Sequence, residues 1–352
     1  MPGPVAAMPA GLESGGDGWR KLLNPRELVS CGRQRRGLIS RGQQGETTMK
    51  PIAFAIFAAG TLAFAGGAQA QQIDYAKVDV KTTDLGHQTY MLEGAGGNVT
   101  FAVGKDGVIM VDSQFAPMHD KLKAAIAAVT NQPVKYVVNT HFHGDHTGGD
   151  EAFAKDGATV VANENVKKRL ASGSINGLTN AKTDGVTGQA LPSKTYGSAL
   201  TLSVKGRSAQ LHHVLNAHTD GDTYVVFKDA NVISTGDTVT LGRYPNIDFA
   251  NGGNIKGMIA ACDAYIAMAD AKTKIVPGHG NLTDKKGMQA YRAMLVAARD
   301  RMKKLIKEGK SEQDVIAAKP FADFDKQVGA NDQSSTNFIR VVYNSLKPAK
   351  KM

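Results

Sequence analysis

Cysteine is nearly absent from this chain: its 352 residues contain two, Cys31 and Cys262, and only Cys262 lies beyond residue 70. No disulfide can therefore staple the main body, whose stability must come from packing and from metal. No apolar run reaches membrane-spanning length either. The run 52–65 is too short for a transmembrane helix and ends in small residues, so no integral membrane anchor is expected. The charge is only mildly basic. Of the formal +10, residues 1–70 hold eight basic and four acidic side chains, which leaves +6 for the remainder. No nucleic-acid-binding motif accompanies that charge, so a nucleic-acid partner is not expected, and Lys167-Lys168-Arg169 reads as a solvated helix face. No short repeat is evident, and composition says nothing of the oligomeric state.

The chain does carry an export signal, placed internally. Met49-Lys50, the apolar run and Gly66-Gly67-Ala68-Gln69-Ala70 form a charged start, an apolar core and an Ala-x-Ala cleavage site, the pattern of a secretory signal peptide over 49–70. Cleavage is expected after Ala70, with a periplasmic or secreted product. A signal peptide normally begins a chain, so translation is expected to start at Met49, with 1–48 a non-native or disordered extension. Residues 71–352 are then one domain of a length that a single α/β core can use.

Within 71–352 the pattern begins as an antiparallel meander. Strands are expected at 88–92, 98–103 and 108–111, with turns at 94–97 and 105–107. Pro117 opens an expected helix to about Val129, with Leu122, Ile126 and Val129 on its buried face. Strands are expected at 134–138, 158–162, 200–204, 209–215, 223–227, 231–234 and 274–276, and helices at 163–170, 254–270 and 284–308. Residues 334–352 read as an amphipathic helix with a Lys-rich end. This order suggests sheets inside and helices outside. Two irregular segments stand apart as functional candidates: the polar stretch 172–196 as a lid, and 244–254 as a substrate-contacting loop or a connection capped by Asn254.

The chemistry concentrates in Asn139-Thr140-His141-Phe142-His143-Gly144-Asp145-His146-Thr147-Gly148-Gly149, which follows the apolar run 134–138. Three of the nine histidines fall in this one loop. His141 and His143, two apart in an extended segment, leave the same face and can share one ion. Asp145 and His146 turn toward a second, so two metals are the natural reading. His87 and His119 stand alone and read as ordinary surface or packing residues. Further His and Asp residues recur beside glycine at later strand ends: Asn216-Ala217-His218-Thr219-Asp220-Gly221-Asp222, Thr235-Gly236-Asp237 and Pro277-Gly278-His279-Gly280. Turns of that kind let the backbone approach a metal closely.

The ordered set His141-x-His143-x-Asp145-His146, His218, Asp237 and His279, with Asp112 upstream, resembles the metallo-β-lactamase superfamily over nearly all of residues 85–282. The resemblance implies a four-layered αββα sandwich with the site along one edge of two sheets. It implies one divalent ion on His141, His143 and His218, another on Asp145, His146 and His279, with Asp237 bridging them and Asp112 supporting the loop. Zinc is the leading metal. The implied reaction is hydrolysis of a small-molecule substrate by a hydroxide formed on the metal pair, with Asp145 orienting the nucleophile. The chain departs from many true β-lactamases, which place a Cys where Asp237 stands and a Lys three residues later, where this chain has Thr240. The bridging Asp is similar to the glyoxalase II and lactonase branches. The expectation is therefore β-lactamase-like opening of a cyclic amide or ester, with lactonase or thioesterase activity as the alternative. Iron-dependent persulfide oxidation is the alternative of another class.

Overall fold

A computed structural model describes residues 73–347; the expected signal peptide and the segment before it lie outside the described residues. The first sheet has seven strands: β1 (Lys81–Gly86), β2 (Thr89–Glu93), β3 (Val99–Val103), β4 (Val108–Val111), β5 (Val134–Val138), β6 (Thr159–Asn163) and, beyond a hairpin of β7 (Ser174–Ile175) with β8 (Lys182–Thr183), β9 (Lys194–Tyr196). Strands β1 to β4 pair antiparallel, and β4, β5, β6 and β9 pair parallel. The second sheet runs β10 (Ala199–Val204), β11 (Arg207–His213), β12 (Thr223–Phe227), β13 (Val232–Ser234) and β14 (Lys274–Val276), with only its last pair parallel.

Alternation in the strands sorts apolar residues into three layers. Met91, Ala102, Ile109, Val111 and Val161 meet Leu202, Leu211, Val225, Phe227 and Val276 between the sheets. The other face of the first sheet, with Leu92, Phe101, Val108, Met110 and Val137, packs on Leu122 and Ile126 of α1 (His119–Ala127) and on Phe153. On the outer side of the second sheet, Ile233 and Ile275 meet α5 (Ile255–Met268), α6 (Lys285–Lys307) and α9 (Asp332–Leu346). Helices thus cover both outer faces, the expected αββα order, and each fully buried aliphatic contributes about 1.5–3 kcal/mol over an exposed one.

The short helices α2 (Gly144–Thr147) and α3 (Asp150–Lys155) follow the histidine loop, and α4 (Glu164–Ser172), α7 (Glu312–Ala318) and α8 (Ala322–Val328) complete the set. Asn163, Asn254 and Asp284 cap α4, α5 and α6 with their side-chain oxygens.

Several expectations need correction. Pro117 lies in a 3-10 turn, and α1 ends at Ala127, leaving Val129 exposed rather than on the buried face. Strand β11 ends at His213, two residues short of Leu215, because Val214 N–H already turns to the Asp222 carbonyl. The stretch 172–196 is not one irregular loop: it holds the β7–β8 hairpin and the edge strand β9. Short strands escape a periodicity argument because two or three residues define no period. Arg169 is not a solvated residue either. It sits half-buried at the end of α4, with Nε and Nη2 on the Asp220 carboxylate and Nη1 on Asn251 Oδ1, a fork-shaped pairing that only the fold brings together.

Candidate metal centre

The site lies where the parallel strands of both sheets end. Asp112 follows β4, the histidine loop follows β5, Asp237 follows β13 and His279 follows β14; His218 comes from the β11–β12 connection. Backbone and side-chain bonds lock these ends together. Thr223 N–H donates to the Thr140 carbonyl across the sheets, Asn98 N–H to Gly278, and the Asn98 amide to Pro277 and Gly280.

All seven expected side chains converge. Three groups, His141/His143/His218, His141/His146/Asp237 and Asp145/His146/His279, each bring their ligand atoms within 4.8 Å of one another. His143 Nδ1 lies 3.0 Å from His218 Nε2, and His146 Nε2 lies 3.3 Å from His279 Nε2. Two nitrogens on one tetrahedral zinc at its usual bond length stand about 3.3 Å apart, so both spacings suit a shared ion. The Asp237 carboxylate sits between the groups, with Oδ1 3.1 Å from His146 Nε2 and Oδ2 3.4 Å from His279 Nε2 and 3.8 Å from His218 Nε2. Asp145 Oδ2 is 3.1 Å from His279 Nε2 and 3.7 Å from His146 Nε2. His87 stays an exposed turn residue, and His119 pairs with Asp120 and Asp156 against Phe153, away from the cluster.

The outer nitrogens explain how the cluster is poised. Asp112 takes Thr140 N–H and Oγ1–H, and its Oδ2 also faces His146 Nδ1 at 2.8 Å. Because the Thr140 hydroxyl is spent on Asp112, it accepts from His141 Nδ1 at 3.1 Å. His218 Nδ1 donates to the Asn246 carbonyl at 2.9 Å, and His143 Nε2 faces Asp248 Oδ2 at 2.9 Å. Each of these four rings therefore has its outer nitrogen pinned as the N–H. The lone pair of the other nitrogen, Nε2 in three rings and Nδ1 in His143, points inward, as a metal ligand requires. His141 Nε2 is buried with no hydrogen-bond partner, and so is Asp237 Oδ1. Orphaned buried atoms of this kind cost about 1–3 kcal/mol each unless a ligand meets them, and a divalent cation fits both.

Charge follows the same division. Burial, reinforced by neighbouring imidazoles, holds His141 well below the usual histidine range and His218 down to about 4, so that group offers neutral rings. Around His146 burial is outweighed by Asp237, Asp112 and Asp145, which keep its imidazolium well above the usual range. Asp145 is held at about 2, burial being outweighed by His146 and His279. This half of the site demands positive charge, as protons or as a metal.

Some supporting residues were not legible. Asp248, in the segment 244–254, holds His143 and is itself gripped by Asn251 Nδ2. Asp222 accepts the N–H of His218 and of Thr219, fixing the turn that presents His218; a Thr-x-x-Asp turn was a visible signal for it. The Asn246 contact is made by backbone and leaves no trace in sequence. Beneath the histidine loop, buried Asp150 accepts from Ser113 Oγ at 2.7 Å and from Asn139 Nδ2 at 3.0 Å. Burial pushes its carboxyl up to about 8, against those two bonds and with help from Asp112. Its pKa is raised on folding, so its contribution to stability falls as pH climbs from about 4 toward 8. Asp150→Asn keeps an acceptor for both bonds and is expected to flatten that fall. Urea unfolding at pH 5 and pH 8, at fixed metal concentration, checks it; identical pH dependence in both proteins contradicts the account.

The family model described as the metallo-beta-lactamase superfamily matches residues 92–279. Among curated proteins, the chain is 29% identical over 147 residues to the alpha subunit of a 2,4-dinitroanisole O-demethylase from Nocardioides sp. (strain JS1661), covering 41% of this chain and 42% of that one. It is 26% identical over 160 residues to a metal-dependent hydrolase of Rhizobium johnstonii, covering 45% of this chain and 63% of that protein. Two solved structures share the fold. A metallo-beta-lactamase from Pontibacter korlensis superposes with a TM-score of 0.51 at 20% identity, over 62% of this chain and 99% of that one. A stereoselective inverting sec-alkylsulfatase from Pseudomonas sp. does so at 0.55 and 16%, over 76% of this chain and 50% of that one.

Proposed function

This chain belongs to the metallo-beta-lactamase superfamily, and from its site we propose that it is an exported dinuclear zinc hydrolase opening a small cyclic amide or ester. The observation that carries the reading is the set of four pinned imidazoles with inward lone pairs, beside carboxylates that call for cationic charge. His141, His143 and His218 would hold one ion, Asp145, His146 and His279 the other, and Asp237 both. When bound, such ions lower the pKa of a water toward neutrality and polarise the carbonyl it attacks.

The chain's own residues do the rest. Asp145 is ionised across the working range, so its carboxylate accepts a hydrogen bond from the attacking water and aims a lone pair at the carbonyl carbon. His143, Asp145 and His279 retain exposed side-chain area, which puts the open face of the cluster where a substrate arrives. Asp112 and Asp248 hold the imidazoles and exchange no proton with substrate. The name of the Rhizobium relatives, metal-dependent hydrolases, supports the reaction class, and the signal-peptide pattern over 49–70 supports export. Asp237 followed by Thr240 keeps lactones and thioesters beside lactams as substrates.

Metal content of the purified chain, with turnover of a chromogenic cephalosporin and a simple lactone, tests this. Two zinc ions with cephalosporin hydrolysis are expected. Lactone turnover alone moves the chain to the lactonase branch, and one iron with no hydrolysis overturns the hydrolase. Asp145→Asn is expected to lower kcat by about 10²–10⁴-fold with an unchanged circular dichroism spectrum; an unaffected rate refutes the role given to Asp145.

A further inference from the structure

A pocket of about 470 Å³ lies against the metal centre and is not used by the chemistry described so far. Three segments remote in sequence form it. Asn176 and Thr179 come from the turn between β7 and β8, Arg243 and Asn246 from the segment after Asp237, and Asn337 and Arg340 from α9. Its volume suits a small organic molecule. One wall is continuous with the metal site, because the carbonyl of Asn246 is the acceptor for His218 Nδ1.

The lining has a definite chemical character. Tyr244 and Phe338 stack face to face at 4.2 Å and supply an apolar floor. The Tyr244 hydroxyl is already spent, donating to Asp325 Oδ1 and to the Phe321 carbonyl. Both charged side chains in the lining are cationic, and none is acidic among the described residues. They are not equivalent. Arg340 is tied by Nε to Glu312, which also takes the Asn344 amide. Arg243 is exposed and makes no ion pair among the described residues. One unspent guanidinium at the rim, side-chain amides around it and an aromatic floor together complement a single carboxylate on an apolar body.

We infer that this pocket is a subsite for an organic carboxylate, with Arg243 receiving the carboxylate, and that it holds the part of the substrate distal to the bond being broken. The second half of that statement rests on the hydrolase reading; the first does not. Phenylacetate serves as probe and neutral phenylacetamide as its control, titrated calorimetrically into the full metal-loaded chain. Phenylacetate is expected to bind and phenylacetamide not. Arg243→Gln is expected to weaken phenylacetate about tenfold or more, with Arg243→Lys recovering most of the loss and metal content unchanged in both. Equal binding by wild type and Arg243→Gln places the carboxylate elsewhere, on the metal for instance, and overturns the subsite. Against whichever substrate is turned over, phenylacetate is expected to raise KM and leave kcat unchanged. A lowered kcat with unchanged KM makes the pocket an effector site and overturns its assignment to substrate. Arg243-dependent binding in a chain that hydrolyses nothing leaves the subsite standing and removes the hydrolase, so the two failures are distinguishable.

Discussion

Stripping divalent metal from the purified chain with a chelator at neutral pH is expected to abolish hydrolysis and to destabilise the fold together. Charge stabilisation of several kcal/mol in the transition state corresponds to a loss of about 10³-fold or more in rate. The stability effect has a separate origin. A ligand that binds only the folded chain at about a thousandfold above its dissociation constant stabilises it by about 4 kcal/mol, or about 10 °C in Tm for a domain of this size. His141 Nε2 and Asp237 Oδ1 are buried without hydrogen-bond partners, and the carboxylates of Asp112, Asp145 and Asp237 crowd around His146. Protons on His146 and His279, whose pKa values the carboxylates raise against burial, compete with metal, so stripping is expected to become easier as pH falls. Restoration of both activity and Tm by zinc, followed by thermal melts, checks the claim. Full activity in a chain shown to be metal-free sinks it.

Gly97→Ala is expected to be nearly as damaging, although Gly97 is no ligand. A Cβ there would lie 2.1 Å from His146 Cε1 and 2.5 Å from its Nε2. The ring has no room to retreat, since it is fully buried and its Nδ1 is held 2.8 Å from Asp112. Gly97 N–H also donates to the Asp145 carbonyl, so any backbone shift moves a second member of the cluster. Displacing a catalytic group by about 1 Å costs on the order of 10²-fold in rate, and metal content is expected to fall as well. Gly144→Ala is the control: it sits inside the histidine loop, yet its Cβ would meet nothing within 4 Å, so metal content is expected to stay at the wild-type value. Metal analysis of the two variants decides between a steric account and a general intolerance of side chains near the loop.

Much of the site was legible because its signals are local. Histidines two apart after an apolar run, and Gly-Asp or Gly-His at later strand ends, announce ligands without any knowledge of pairing, and the structure brings all seven together. Arg169 shows the opposite case. In sequence it is the third of three consecutive basic residues; in the structure its fork joins Asp220 to Asn251, whose amide grips Asp248 behind His143. The partners lie 51 and 82 residues away, and no periodicity encodes such distances. Strand β9 was hidden for a different reason: three residues carry no pattern, and membership in the first sheet is conferred by pairing with β6.

The sequence alone determined the residue types that can hold a metal, their order, and the strand ends that carry them, since each depends on neighbours within a few positions. The tertiary structure decided which nitrogen of each imidazole points inward. That choice belongs to Asp112 through Thr140, to Asp248 and to the Asn246 carbonyl. A histidine's tautomer is set by the hydrogen bond on its far side, and here those bonds join segments that only the packing of two sheets at one edge brings within reach.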